Sequence, residues 1–115
     1  MAFTVLYVDD SVEDRVLMQE IMSEIAPDIQ LILAETGQDG IDAAADKRPD
    51  LVLLDLNMPG LNGFDVLKQL KKNETLQTLP VIVFTVSTAS THINEAFRNG
   101  ANAVINKPLT LDEYR

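Results

Sequence analysis

Leu51-Val52-Leu53-Leu54-Asp55-Leu56-Asn57-Met58-Pro59-Gly60 sets an unbroken apolar run against a single carboxylate. Four consecutive aliphatic residues suit a strand buried on both faces, the position of a central strand in a parallel sheet. A buried, unpaired carboxylate costs several kcal/mol, so Asp55 must stand where the strand ends and something neutralises it. Met58-Pro59-Gly60 then reads as a turn, with proline fixing one corner and glycine permitting positive φ.

The same pattern recurs on both sides of this run. Further strand candidates are Phe3–Val8, Ile29–Ala34, Val81–Thr85 and Ala103–Ile105, and the successive starts are 26, 22, 30 and 22 residues apart. That is the length of a repeated strand–helix unit. Between them, Leu17, Met18, Ile21, Met22 and Ile25 form one helical stripe, capped by Ser11 and stopped by Pro27. Gly40 to Asp46 reads as a second helix, ahead of Arg48-Pro49. Phe64, Leu67 and Leu70 mark a third, with Lys68, Lys71 and Lys72 toward its dipole-negative end. Ile93, Ala96 and Phe97 mark a fourth, stopped by Asn99-Gly100, and a fifth begins near Thr110 and is truncated at Arg115. This alternation predicts an α/β fold: one domain over residues 1–115, a doubly wound five-stranded parallel sheet, flavodoxin-like, in the order 2-1-3-4-5.

Composition narrows the function. The 115 residues are 46% hydrophobic and 23% charged, enough for one core. The absence of cysteine excludes disulfides, thiol catalysis and Cys-ligated zinc. With 18 acidic and 9 basic residues the net charge is −9, which repels nucleic acid. The start Met1-Ala2-Phe3-Thr4-Val5-Leu6-Tyr7-Val8 lacks the basic region of a signal peptide, and every apolar run is too short for a bilayer. A cytoplasmic chain that binds neither membrane nor nucleic acid is expected.

Polar residues interrupt the strands at their ends: Asp9-Asp10 after the first, Asp55 after the third, Thr85 closing the fourth, Asn106-Lys107 after the fifth. In a parallel sheet these ends share one edge, and ligands bind outside it where the strand order reverses. That point lies between strands one and three, so Asp9, Asp10 and Asp55 should converge. Two such charges ~4 Å apart repel by roughly 4 kcal/mol at an effective dielectric of 20, so a cation or a proton must intervene. Oxygen-only ligands suit Mg²⁺. Lys107 adds a fixed positive charge and Thr85 a hydroxyl, and one carboxylate in such a site can attack a phosphoryl group. Singly, each residue has a plainer explanation: a helix-dipole acid pair, a lysine before a turn proline, an ordinary strand threonine. Their conjunction at one edge favours the site. His92 reads as a surface residue with no part in it, and Met18 and Met22 as core.

The sequence resembles the receiver domains of two-component response regulators along essentially its whole length. The matching pieces are Val8-Asp9-Asp10, Leu53 to Gly60 with Gly63, Thr85, and Gly100-Ala101 followed by Asn106-Lys107-Pro108. The resemblance implies that Asp55 is the phosphoacceptor. It implies that Asp10 ligates Mg²⁺, that Asp9 acts mainly through water, and that Asn57 offers its backbone carbonyl. Thr85 would hydrogen-bond the phosphoryl group, Lys107 would pair with one of its oxygens, and the Lys107–Pro108 bond would be cis. A histidine kinase or phosphotransfer protein is the implied donor. Two positions depart from the family: Val104 stands where an aromatic residue is common, and Val86 where a small one is.

Competing functions fit less well. An aspartyl-phosphate phosphohydrolase of the haloacid-dehalogenase type needs a second Asp two residues after the nucleophile, where this chain has Asn57. A nucleotide binder of this topology needs a Gly- or Ser/Thr-rich loop after strand one, whereas Asp9-Asp10-Ser11-Val12-Glu13-Asp14 repels phosphate. A phosphate-independent receiver-like interaction domain would have no need of the full set of site residues. The expected function is a signalling switch with no separate substrate turnover.

Overall fold

The computed structural model describes residues 3–56, 58, 62–86 and 89–107. Their chain order is β1 (Thr4–Val8), α1 (Val12–Ile25), β2 (Gln30–Ala34), α2 (Gly37–Lys47), β3 (Leu51–Leu54), α3 (Gly63–Lys72), β4 (Val81–Thr85), α4 (Ser90–Arg98) and β5 (Ala103–Asn106). The strands form one parallel sheet in the order β2-β1-β3-β4-β5, as expected. The fifth helix expected near Thr110 lies outside the described residues.

Strand alternation divides the core in two. Leu6 and Val8 point to one face, where they join Val52, Leu54, Val81 and Val83 against Ala44 of α2, Val66 and Leu70 of α3, and Ala96 of α4. Tyr7 points to the other, where it packs with Phe84 and with Met18 of α1. From Val5 to Val8, β1 is buried on both faces, whereas β3 alternates, with Val52 and Leu54 buried and Leu51 and Leu53 only partly so, and edge strand β5 leaves Ile105 49% exposed.

Helix ends follow local chemistry. The Ser11 hydroxyl accepts from the Asp14 amide at 3.2 Å, capping α1. Thr36 does the same for Asp39 at 3.0 Å, so α2 starts at Gly37 rather than Gly40. It ends on Arg48 in the left-handed region, φ 46°, a position glycine usually takes. The apolar stripe of α1 is shorter than expected, since Ile25 is 65% exposed. A 14-residue helix runs ~21 Å against ~17 Å for a five-residue strand, so its last turn outlasts the sheet. Phe97 is likewise half-exposed, and buried Ala96 makes the α4 contact. Lys71 does more than complement a helix dipole: its ammonium donates to Leu79 O at 2.9 Å and Asn102 Oδ1 at 3.3 Å, stapling α3 to two loops. Burial pushes its pKa below the ordinary lysine value. Among the described residues, no helix is long and apolar enough to cross a membrane.

The start of α3 lies directly on the segment that carries Asp55. The Gly63 amide donates to Leu56 O at 3.2 Å, and a Cβ at Gly63 would lie 2.3 Å from Asp55 O and 2.5 Å from Leu56 Cα. Both clashes are with backbone, which cannot swing aside as a side chain can. Gly63→Ala should therefore destabilise the protein by about 1–3 kcal/mol, lowering Tm by roughly 5–15 °C in a thermal melt. A variant melting together with the wild type would show that this close approach is not a constraint.

Candidate functional site

The sheet's hydrogen-bond ladder continues one residue past the strands that carry the polar side chains. Asp9 N donates to Ala34 O and Asp55 N to Val8 O, each at 3.0 Å, and Lys107 N donates to Thr85 O at 2.8 Å. The backbone of Asp9, Asp55 and Lys107 is thus placed by main-chain bonds, whatever their side chains do.

Asp9 is fully buried and its carboxylate is well supplied with donors. Oδ1 accepts from Ser11 N at 2.9 Å, and Oδ2 accepts from the Tyr7 hydroxyl at 2.5 Å and from Lys107. Tyr7 and Asp9 can meet because residues two apart on an extended chain share a face. Arg15 fixes the same corner from α1, donating to Asp9 O at 2.6 Å while its other terminal nitrogen lies 3.4 Å from Glu35. Asp55 is 5% exposed, and Asp10 is exposed. One carboxylate oxygen from each of Asp9, Asp10 and Asp55 falls within 4.8 Å of the other two.

Lys107 closes the site. Its ammonium donates to Asp9 Oδ2, to Asp14 Oδ2 at 2.9 Å and to Asp55 Oδ2 at 3.3 Å, and lies 5.9 Å from the centre of the Phe84 ring. An ammonium has three N–H donors, so each is directed at a carboxylate. Burial alone would lower the Lys107 pKa, but the hydrogen bonds to Asp9 and Asp14 and the charges on Asp55 and Asp9 more than offset it, and the pKa is raised. The stabilisation from this group is complete below its ordinary pKa of 10.5 and is lost as pH rises through the raised folded value.

Asp9, Asp10, Asp55 and Lys107 are thus brought together. Thr85 is fully buried at the end of β4, beside β5, with its carbonyl on the Lys107 amide. Asn57 and Pro108 lie outside the described residues, so the carbonyl ligand and the cis bond expected there do too. Val86 is 54% exposed and does not crowd the core around Thr85. Three participants were not anticipated: Tyr7, Asp14 and Arg15. His92 is exposed and sets its ring edge-on to Phe64, 6.1 Å between centres. A cleft of about 290 Å³ opens at the opposite, amino-terminal edge of the sheet, between Arg48, Asp50, Thr75 and Pro80. Its one acid, Asp50, accepts from Thr4 N at 2.7 Å, and no carboxylates converge there.

The carboxylate cluster fits a hard divalent cation. All its donors are oxygens, and Asp10 faces solvent, leaving room for the waters that Mg²⁺ retains. Asp9 already accepts from Tyr7, Ser11 and Lys107, which suits it to the outer rather than the inner part of a cation's surroundings.

The model of the response regulator receiver domain matches residues 5–115. Protein PilH of Pseudomonas aeruginosa is 35% identical over 105 residues, covering 91% of this chain and 85% of PilH. Some curated relatives are longer, and the chain spans 30% to 48% of their length. Among solved structures, the phosphorylated cyanobacterial phytochrome response regulator RcpA superposes with a TM-score of 0.89 at 27% identity, covering 99% of this chain and 86% of that one. The Mn²⁺-bound form of response regulator Rcp1 does so with a TM-score of 0.86 at 29% identity, covering 96% and 85%. With its sheet order, its edge of acids and a family match beginning at Val5, the chain belongs to the response regulator receiver domains of two-component signalling.

Proposed function

We propose that the chain, as one receiver domain over residues 1–115, is a phosphorylation-dependent switch that takes a phosphoryl group on Asp55. The observation that carries this reading is the convergence of Asp9, Asp10 and Asp55 around the Lys107 ammonium at one sheet edge. An Asp55 carboxylate oxygen attacks phosphorus; the new O–P bond forms as the donor's N–P bond breaks, and a histidine imidazole leaves with that electron pair. The donor is accordingly a histidine kinase or a phosphotransfer protein, and the cytoplasm is the compartment this implies. Asp10 and Asp55, with Asp9 acting mainly through water and the Asn57 carbonyl as a further ligand, would hold Mg²⁺, which when bound supplies positive charge against the phosphoryl oxygens. Lys107, 3.3 Å from Asp55 Oδ2 in the unmodified site, turns to a phosphoryl oxygen, and the Thr85 hydroxyl donates to another. Relatives described as phosphorylated and as Mn²⁺-bound support both halves of the reading.

Incubation with Mg²⁺ and acetyl phosphate should add one phosphoryl group, seen by intact mass spectrometry, and Asp55→Asn should prevent it. An unmodified wild type, or equal labelling of the variant, would sink the assignment.

Lys107 and a divalent cation neutralise the same carboxylates, so each should matter more in the absence of the other. Lys107→Met leaves Asp9 and Asp55 buried without their ammonium, a loss of about 3 kcal/mol that should lower Tm by more than about 10 °C without metal. Saturating Mg²⁺ should then raise the variant's Tm by more than it raises the wild type's. Equal melting of the two proteins without metal would count against the ammonium as the resident counter-charge.

A further inference from the structure

We propose that Asp14 is a positioning residue that competes with the phosphoryl group on Asp55 for the Lys107 ammonium, restraining entry into the phosphorylated state. This rests on the reading of Asp55 as phosphoacceptor. All three N–H donors of Lys107 are committed before any phosphoryl group arrives, to Asp9, Asp14 and Asp55. Asp14 holds its share at 2.9 Å and Asp55 at 3.3 Å, so the ammonium leans toward α1. The Asp14 carboxylate is well anchored for this: its own amide is capped by Ser11, whose amide in turn donates to Asp9 Oδ1 at 2.9 Å. The three partners differ in how readily they can be given up. The Asp9 side chain is wholly buried and that of Asp55 is 7% exposed, whereas the Asp14 side chain is 33% exposed. Released, Asp14 rehydrates at little cost; released, Asp9 would be left as a buried charge. A phosphoryl group brings further negative charge and strong acceptor oxygens to Asp55, and Lys107 meets them by leaving Asp14. Without Asp14, that step has no competing partner to break.

The test uses beryllofluoride with Mg²⁺ as a phosphoryl mimic on the full chain, titrated by calorimetry. Asp14→Asn should bind it about three- to fivefold more tightly than wild type, the range of a part-exposed charge pair. Asp14→Ala should move the same way. Glu13→Gln removes an exposed acid from the same helical turn and measures the plain effect of charge, which should be smaller. The ¹⁵N signal of the Lys107 ammonium should shift in Asp14→Asn and stay in place in Glu13→Gln, a response that general loosening of α1 would not give. Binding in Asp14→Asn that is weaker than wild type, or no tighter than in Glu13→Gln, overturns the proposal. A wild type that takes no beryllofluoride overturns the phosphoacceptor reading itself and the proposal with it.

Discussion

Asp9, Asp14 and Asp55 reach one point from the end of β1, the first turn of α1 and the end of β3, and a single ammonium stands among them. That ammonium comes from the far edge of the sheet. Lys107 is separated from Asp9 by 98 residues, and in the order β2-β1-β3-β4-β5 two strands lie between theirs. The ion pairs therefore form only when β1, β3, β4 and β5 are in register, and they tie the sheet's edge to its centre. Desolvating four charged groups is expensive, and a well-packed apolar cluster would stabilise the fold at least as well. What the ionic cluster provides is a concentration of negative charge, three carboxylates against one ammonium, whose formal excess of two a divalent cation can balance.

The rest of the structure supplies rigidity to that point without using its side chains. Main-chain bonds from Asp9, Asp55 and Lys107 extend the ladder past the strands, so the site's backbone is as fixed as the sheet. Two close approaches reinforce it: Gly63 on the Asp55 carbonyl, and Gly40, where a Cβ would lie 2.7 Å from a Val8 methyl beside Asp9. The two acids buried by this framework differ. Asp9, its side chain wholly buried, is bound by a hydroxyl, an amide and an ammonium, whereas the Asp55 side chain is 7% exposed and stands at the longest of the three Lys107 contacts, 3.3 Å. Backbone placement is common to them, and the difference lies in how far each side chain is shut off from solvent.

Strands and topology were legible in the sequence because two central strands announce themselves as uninterrupted apolar runs, and Leu51–Leu54 and Val81–Thr85 begin and end where those runs do. The acids at the strand ends were legible for the same reason, as polar residues with no place in a core. What escaped were residues whose local reading was already satisfactory. Tyr7 in an apolar strand reads as core, and Asp14 reads as one more acid in the loop that repels phosphate; Tyr7 is core and Asp14 lies in the first turn of α1, and each also touches the site. A signal for Tyr7 existed in its spacing of two from Asp9. None existed for Asp14, whose partner is 93 residues away. Lys71 failed in the same manner, since its acceptors on the loops before β4 and β5 are set by tertiary packing. The surplus length of α1 that exposes Ile25 is a relation between two elements, invisible in either alone.

The departures at positions 86 and 104 bear on how a change at Asp55 could travel. Val104 pairs with Val83 and packs, half-buried, against the core shared by α2, α3 and α4, while its neighbour Ile105 faces the other way. A β-branched side chain in that position has few rotamers and no ring to turn, so it offers no second packing arrangement of its own. Val86, following the buried Thr85, is 54% exposed. Among the described residues, one direct connection runs across this end of the sheet. Lys107 receives the charge state of Asp55 at its ammonium and is bonded through its amide to the Thr85 carbonyl at 2.8 Å. The ends of β4 and β5 and the Asp55 carboxylate thus meet in one residue, Lys107, through its amide and its ammonium.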